Sequence, residues 1–256
     1  MAMAEDTPGS LTVLAADWSD VSAVLALGWR DFLRAPFYGV AFSSVYVIGG
    51  WLIWSALSLK GQLWWTIPAS AGFPILGPFI ACGFYEISRR IETGEALSRA
   101  AIFGVILRQK DRQIPSMAAV VVVFFLFWNF ISHMIFALFL GNATMTNVTS
   151  SFAVFGTPAG VAMLLMGTVV GAGFATLLFA LSVVSLPLLL DREVDFVTAM
   201  ITSVRTVTAA PVVMLGWGAL IAAMVFVALL PGFLGLFVVL PLFGHATWHL
   251  YRRLIV

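Results

Sequence analysis

The sequence carries very little charge. Only 10% of its 256 residues are Asp, Glu, Lys or Arg, whereas 61% are hydrophobic and the mean hydropathy is +1.04. Soluble domains carry about 25% charged residues, because water must solvate most of their surface. The composition therefore excludes a soluble domain and predicts an integral membrane protein.

Cysteine and histidine are also scarce. The single cysteine, Cys82, excludes an internal disulfide bond. The sequence contains no recognisable nucleotide-binding loop, nucleophile–base pair or cluster of metal ligands. We therefore expect a protein that is not an enzyme and that holds no metal, and the pattern indicates no cofactor. The net charge of +1 gives no reason to expect a nucleic-acid partner.

Long apolar runs dominate the rest of the chain. Residues 1–18 lack the features of a signal peptide and are predicted to be a disordered cytoplasmic tail, followed by a single membrane domain at 19–256. Five apolar runs, and a sixth interrupted by prolines, can each cross about 30 Å of hydrocarbon at about 1.5 Å per helical residue. The predicted spans are 37–59, 63–87, 114–140, 159–190, 212–230 and 231–251. The predicted fold is an all-α membrane protein with six transmembrane helices.

The basic residues give an orientation for these spans. Of the 13 Lys and Arg residues, only Lys60 lies on the opposite side from all the others. Cytoplasmic loops are enriched in Lys and Arg, so the basic side is predicted to be cytoplasmic. With six spans, both termini then lie in the cytoplasm, and we expect a multi-pass protein of the bacterial inner membrane.

A pattern with three units runs through the chain. Each unit has an amphipathic segment suited to the headgroup layer, then a proline that can start a helix, then two spans. The starting prolines are Pro36, Pro115 and Pro211, and the returning spans share "PILG" at Pro74, "PLLL" at Pro187 and "PLFG" at Pro241. We predict three pseudo-repeats at about 19–90, 95–190 and 194–253. The alternative is that short cytoplasmic loops produce such segments in any membrane protein.

Four stretches carry a family resemblance: "LGWRDFLRAP", "GFPILGPFIACGFYEISRRIETGE", "SVVSLPLLLDREVDFVTAMITSV" and "GHATWHLYRRLI". From about residue 20 to 253 the chain resembles a family of uncharacterised bacterial integral membrane proteins, some of which are labelled cytochrome c oxidase subunit I-like. The resemblance implies a membrane location and no particular activity. A catalytic haem-copper oxidase subunit has many more spans and histidines, so this chain is not that subunit.

The histidines near the C-terminus are candidates either for a metal site or for the membrane interface. His245 and His249 share a helix face, but no acidic residue lies between them, so a metal site is disfavoured. Trp248, His249 and Tyr251 are predicted to form a belt at the headgroup level. His245 lies a turn deeper, and a functional role for it stays open.

Haem ligation is a further possibility for the histidines. Along their helices, His133 and His245 differ in depth by about 10 Å, too far for two ligands of one iron. Each of them remains a candidate for a single axial ligand in an oligomer. The alternative for His133 is a hydrogen bond between helices, shared with Asn129 on the same face.

Prolines, small residues and one acid complete the candidate positions. Pro74 and Pro78 predict a broken second span, and together with Pro241 and His245 they indicate a possible cavity. Asp191 is expected to pair with an arginine of another unit, with capping of a helix N-terminus or lining of a cytoplasmic vestibule as the alternatives. Gly167 and Gly171, with Ala175, form a ridge of small residues suited to close helix contact.

These features support three functional hypotheses. The first is an accessory or scaffolding subunit of a membrane complex, such as a respiratory one, because the chain has a ridge of small residues, is rich in aromatic residues and has no carboxylate near the membrane midplane. The alternative is a small permease or lipid-handling protein that uses the proline-broken helices. A haem-binding redox subunit is the least favoured. The expected partners are the lipid bilayer and either another membrane protein or a second copy of this chain.

Overall fold

The structure is a computed structural model that describes residues 11–60, 72–109, 111–141 and 155–256. For residues 56–60 and 72–74 it describes the backbone alone. All regular elements in these ranges are helices. The predicted all-α class is therefore confirmed. The helices are α1 (Trp18–Arg34), α2 (Pro36–Lys60), α3 (Gly72–Thr93), α4 (Arg99–Gln109), α5 (Ile114–Leu140), α6 (Pro158–Ser182), α7 (Ser185–Asp191), α8 (Phe196–Ala209), α9 (Pro211–Leu229) and α10 (Leu236–Leu254).

Local sequence signals explain where several helices begin. The side chain of Asp17 accepts a hydrogen bond from the Ser19 amide and forms a capping box with Asp20 at the start of α1. Pro36 and Pro211 are the first residues of α2 and α9, and Pro115 lies in the first turn of α5. Proline fits there because the first amides of a helix have no partner inside the helix.

Within the described ranges, four helical segments are long and apolar enough to cross a membrane: Pro36–Ser55, Ile114–Leu140, Pro158–Asp191 and Pro211–Leu229. The predicted spans at 63–87 and 231–251 correspond to α3 and α10, which do not meet the same criterion. Charged residues occupy the last turns of α3, and histidines and arginines occupy the second half of α10. A total of six spans is therefore not confirmed. Residues 61–71 lie outside the described ranges.

Each amphipathic helix packs against the returning helix of another part of the chain. Helix α4 packs on α3, α8 packs on α6 and α7, and α1 packs on α10. Helices α3, α7 and α10 also contact one another, and the main hydrophobic core lies where they meet. The first amphipathic helix thus lies on the last helix, which closes the arrangement into a ring.

The two ends of the described chain also meet. Val13 and Ile255 form an isolated antiparallel bridge, and the Leu14 amide donates a 2.9 Å hydrogen bond to the Leu254 carbonyl. Residues 11–14 belong to the stretch predicted as a disordered tail, yet here they have defined backbone partners. Paired backbone groups at the C-terminus hold them in place. Residues 1–10 lie outside the described part of the chain.

The packing of α1 differs from the sequence prediction. Its apolar stripe was predicted to lie in the headgroup layer, but Val24 and Gly28 are buried against α10. A Cβ atom added at Gly28 would lie 2.7 Å from the Leu242 carbonyl oxygen and 2.8 Å from the Ala246 amide nitrogen. The two backbones are therefore in direct contact, and only glycine leaves room for this approach.

Candidate functional site

A cluster of four polar side chains connects α1, α3 and α10. Asp31 comes from α1, Ser88 from α3, and His245 and His249 from α10. Nε2 of His249 lies 2.6 Å from the Asp31 carboxylate, and the Ser88 hydroxyl lies 2.9 Å from Nδ1 of His245. Asp31, Ser88 and His245 are fully buried, and His249 is 7% exposed. Burial of polar groups is tolerated here because they pair with one another.

The carboxylate of Asp31 is the charged centre of this cluster. Burial by itself raises the pKa of Asp31, but hydrogen bonding and charge from His249, together with hydrogen bonds from Arg30 and Ser88, hold that pKa below its ordinary value. Arg30 approaches at 3.0 Å and is 45% exposed, so it brings a positive charge from the surface. Because an ionised carboxylate only accepts hydrogen bonds, Nε2 of His249 donates.

Serine, histidine and aspartate in one cluster invite comparison with a hydrolytic triad. In such a triad one histidine bridges the serine and the acid. Here Ser88 contacts His245 and also bonds to Asp31 directly, whereas the histidine that contacts Asp31 is His249. Ser88 and His245 are also fully buried, which leaves no path for a substrate. The arrangement ties three helices together, and Nε2 of His245 has no hydrogen-bond partner within the described structure.

A second network lies where α3, α7 and α10 meet. The Tyr251 hydroxyl donates a 2.6 Å hydrogen bond to Asp191, and the Arg252 guanidinium reaches Asp191 at 3.4 Å and Glu92 at 3.1 Å. The indole of Trp248 donates to the other oxygen of Glu92 at 3.1 Å. Asp191 therefore pairs with an arginine from another part of the chain, as the sequence indicated.

The predicted headgroup belt is wrong. Trp248 and Tyr251 are each 1% exposed, and His249 is also buried. The ring of Trp248 stacks on Tyr85 at a centroid distance of 6.4 Å. Aromatic and basic residues at a helix end suit a membrane interface, but the packing of α1 and α3 against α10 places these rings inside the protein.

The residues of the predicted proline-lined cavity lie in close packing. Pro78, Pro241 and His245 are buried, and the side chain of Pro74 lies outside the description. A Cβ atom added at Gly244, next to His245, would come within 2.6 Å of the Phe84 ring. The space beside His245 is therefore filled by an aromatic side chain.

The other polar side chains predicted within the spans, those of Glu86, Asn129 and His133, form contacts within their own helices. Glu86 forms ion pairs with Arg89 at 2.8 Å and Arg90 at 2.7 Å, as its spacing predicts. Asn129 and His133 were predicted to bond to a neighbouring helix. Instead the Asn129 side chain bonds to the Phe125 carbonyl, and His133 bonds to the Asn129 carbonyl of the same helix.

The largely exposed hairpin of α5 and α6 contains an apolar groove of about 460 Å³. Its walls include Trp128 from α5 and Gly167, Gly171 and Ala175 from α6. A Cβ atom at Gly171 would lie 2.8 Å from the Trp128 ring, whereas one at Gly167 would meet nothing within 4 Å. The predicted ridge of small residues is thus used partly inside the chain and partly left open.

The structure does not bring the candidate haem ligands together. His133 lines an outer continuation of the α5–α6 groove, next to Phe136 and Gly167. His245 packs edge-on against Phe84 in the core. Among the residues that the structure describes, no three His, Cys, Asp or Glu side chains form a group able to hold a metal ion.

Sequence reasoning missed the role of Asp31. The residue occupies the same helix face as Val24 and Gly28, seven and three positions before it, and that face is otherwise apolar. An acid on such a face signals a buried partner. The sequence did not identify that partner, because His249 lies 218 positions away.

Comparison with known families locates the chain among membrane proteins. The matching family model is described as "Predicted integral membrane protein (DUF2189)" and has no established function. Residues 66–191 match this family. The match confirms the predicted resemblance to uncharacterised integral membrane proteins over a segment that contains α3 to α7. No curated protein and no solved structure matches the chain.

The matched segment contains part of each polar network. Ser88, Glu92 and Asp191 lie within it, whereas Asp31 and His249 lie outside. The α5–α6 groove also lies entirely within the match. Together with its apolar helices, the match establishes the chain as an integral membrane protein that contacts the lipid bilayer.

Proposed function

We propose that this chain is a non-catalytic accessory subunit that helps assemble a complex in the bacterial inner membrane. The observation that supports this most directly is the apolar groove on the α5–α6 hairpin. A chain that made no contact with another membrane protein would gain nothing from exposing a ridge of small residues beside such a groove.

The proposed topology has six spans with both termini in the cytoplasm. The spans would be α2, α3, α5, α6 with α7, α9 and α10. The pairing of residues 12–14 with 254–256 supports an even number of crossings, because segments that hydrogen-bond to each other lie on the same side of a membrane. The concentration of Lys and Arg on that side supports a cytoplasmic location.

The proposed organisation is three related units. In each, an amphipathic helix is followed by a proline-initiated span and a returning span. Support comes from the ring in which α1, α4 and α8 each pack on the returning helix of another unit. The network of Glu92, Asp191 and Arg252 joins the C-terminal ends of the first and second proposed units to the third.

The proposed absence of catalysis rests on how the buried polar groups are used. Asp31, Ser88 and His249 make hydrogen bonds to one another's helices, and Glu86 is held by two arginines. Groups that hold helices together in this way are poorly placed to bind and release a substrate. A structural role accounts for them without a reaction.

The partner that fits the groove is a transmembrane helix. Helices in a bilayer associate by close packing against small residues, because lipid and side chains are equally apolar. Gly167 lies open at the groove, and the wall opposite it is the flat ring of Trp128. Large side chains on one face of a partner helix would fill this space.

The proposal can be tested by purifying tagged chain from its native membrane in mild detergent and identifying co-purified proteins by mass spectrometry. Stoichiometric recovery of a membrane-protein partner is expected. Gly167→Leu would fill the groove and reduce that recovery at least several-fold, whereas Val169→Leu, at a position 70% exposed on the same helix, would not. Recovery of the chain alone would contradict the accessory role.

A lipid-handling protein is the second candidate, favoured by the nearly all-apolar lining of the same groove. An acyl chain would also fit such a lining. In the same purification, lipid extraction would then recover a bound lipid that Gly167→Leu displaces, with no protein partner. The permease and haem alternatives have less support, because the residues around His245 are close-packed.

A further inference from the structure

A concave pocket of about 530 Å³ lies where the N-terminal segment meets α8. Leu11 and Val13 form one wall, and the link between α7 and α8 forms another. The remaining wall is one face of α8. The pocket is thus built from parts of the chain that are far apart in sequence. Its lining residues are Leu11, Val13, Arg192, Glu193, Val194, Thr198, Thr202 and Arg205.

Two arginines in the pocket, Arg192 and Arg205, have no anionic partner among the residues that the structure describes. Neither Arg192 nor Arg205 forms a salt bridge with any carboxylate in the described ranges. The acid in the lining, Glu193, is held at 2.8 Å by Arg112 from the segment before α5. Within the described part of the chain the pocket therefore has a surplus of positive charge, and the guanidinium groups of Arg192 and Arg205 are paired with no carboxylate there.

The two threonine hydroxyls in the pocket already donate hydrogen bonds within the chain, so they line the pocket without offering a donor to a ligand. The Thr198 hydroxyl donates to the Asp195 carboxylate at 2.6 Å, and the Thr202 hydroxyl donates to the Thr198 carbonyl at 2.8 Å. An anion in the pocket would consequently depend on the two arginines. Guanidinium groups suit phosphate because they present a fork of N–H donors to two of its oxygens.

The faces of α8 place this pocket at the edge of the membrane. Val197 and Ile201, one turn apart, are 45% and 48% exposed and form an apolar stripe. Thr198 and Thr202 form the neighbouring stripe, which lines the pocket, and Arg205 lies between the two. An exposed apolar stripe beside a polar one, with an arginine at their border, is typical of a helix in the headgroup layer.

We propose that this pocket binds a phosphate group, with Arg192 and Arg205 as its ligands. The phosphate belongs either to an anionic lipid headgroup or to a free phosphate compound in the cytoplasm. Basic pockets at the cytoplasmic ends of membrane helices commonly recognise such headgroups. Because Leu11 and Val13 form a wall, a bound phosphate would also hold the paired chain ends against α8.

The test measures thermal stability of the full chain in an uncharged detergent during three titrations. The added probes are phosphatidylglycerol, phosphatidylcholine and inorganic phosphate. The double variant Arg192→Gln/Arg205→Gln is compared with Arg34→Gln/Arg108→Gln, which removes two basic residues outside the pocket. If the first double variant fails to fold, Arg205→Gln alone replaces it, because Arg205 is exposed.

Phosphatidylglycerol is expected to stabilise the wild-type chain, and phosphatidylcholine is not. Each arginine near an anionic headgroup contributes roughly fivefold to binding, so the pocket variant should need roughly 30-fold more lipid. The control variant should shift the midpoint by less than about twofold, because its arginines lie elsewhere. Stabilisation by inorganic phosphate as well would assign a free phosphate ligand, and its absence would assign the lipid headgroup.

Two results would overturn the proposal. One is an equal loss in the pocket and control variants, which would mean diffuse attraction to negative charge. The other is a wild-type chain that responds neither to phosphatidylglycerol nor to inorganic phosphate.

Discussion

His249 in the last helix donates a 2.6 Å hydrogen bond to the buried carboxylate of Asp31 in the first helix. The two residues are 218 positions apart, so this bond fixes the ends of the helical array to each other. It lies beside the point where Gly28 lets the backbones of α1 and α10 touch. Polar pairing and close backbone contact thus act at one junction, which the first predictions address.

Replacing the acid should weaken this junction. Asp31→Ala would leave the His249 N–H without an acceptor in a buried site, at a cost of about 1–3 kcal/mol. We expect a clear fall in the melting temperature of the purified chain in detergent. Asp111→Ala removes an exposed acid that makes no salt bridge with another described residue, and it should leave the melting temperature nearly unchanged. Equal effects of both changes would contradict a structural role for Asp31.

Acidification should remove the stabilisation that the ionised Asp31 carboxylate provides. The folded-state pKa of Asp31 lies below its ordinary value of about 3.9, so the ionised group stabilises the folded protein above that pH. This stabilisation is lost as the pH falls through the lower, folded-state pKa. The melting temperature of the wild-type chain should therefore fall more steeply below about pH 4 than that of Asp31→Asn. Parallel curves would show that Asp31 does not contribute through its charge.

The backbone contact at Gly28 gives a steric prediction. Gly28→Ala places a Cβ atom against two backbone atoms of α10, which cannot move as a side chain would. Overpacking of this kind costs about 1–3 kcal/mol. Gly104→Ala is the matched control, because its Cβ would meet only the flexible end of Arg108 at 3.4 Å. The control should be neutral or more stable, and thermal unfolding of both variants distinguishes the two cases.

Burial should determine which contact of Asp191 matters more. Tyr251→Phe removes a 2.6 Å hydrogen bond from a side chain that is 1% exposed, and we expect a loss of about 1–2 kcal/mol. Arg252→Gln breaks longer ion pairs made by a 40% exposed side chain, and solvent screening limits that loss to less than about 1 kcal/mol. The reverse order of melting temperatures would contradict this assignment.

The six-span topology can be tested by cysteine labelling. With Cys82→Ser as background, Asp111→Cys should react with a membrane-impermeant maleimide only after the cells are permeabilised. Asn147→Cys, between the predicted third and fourth spans, should react in intact cells. Labelling of both positions from the same side would exclude the proposed arrangement of the central spans.

Features that depend on near neighbours were predictable from the sequence. Pro36, Pro115 and Pro211 start helices for a local steric reason, and they do so in the structure. Glu86 pairs with Arg89 and Arg90 because residues three and four apart meet on a helix. The all-helical class follows from the same kind of regularity.

Features that depend on packing between distant segments were not predictable. Trp248 and Tyr251 are residue types that are common at a membrane interface. The same residue types also suit a buried position in which the ring packs under another helix and its polar atom bonds to a carboxylate. His245 was predictable as a helical residue, but no pattern in the sequence indicated that Phe84 and Ser88 would contact it. Which helix covers which face depends on the whole chain.

The closure of α1 on α10 has a consequence for how the protein is made. Ribosomes add about 5–20 residues per second, so roughly 10–40 s pass between the synthesis of Asp31 and that of His249. During this interval α1 presents an acidic residue on an otherwise apolar face, without its final partner. A nascent chain stalled before α10 would therefore carry an undocked first helix, which quality-control proteases could recognise as a sign of incomplete assembly.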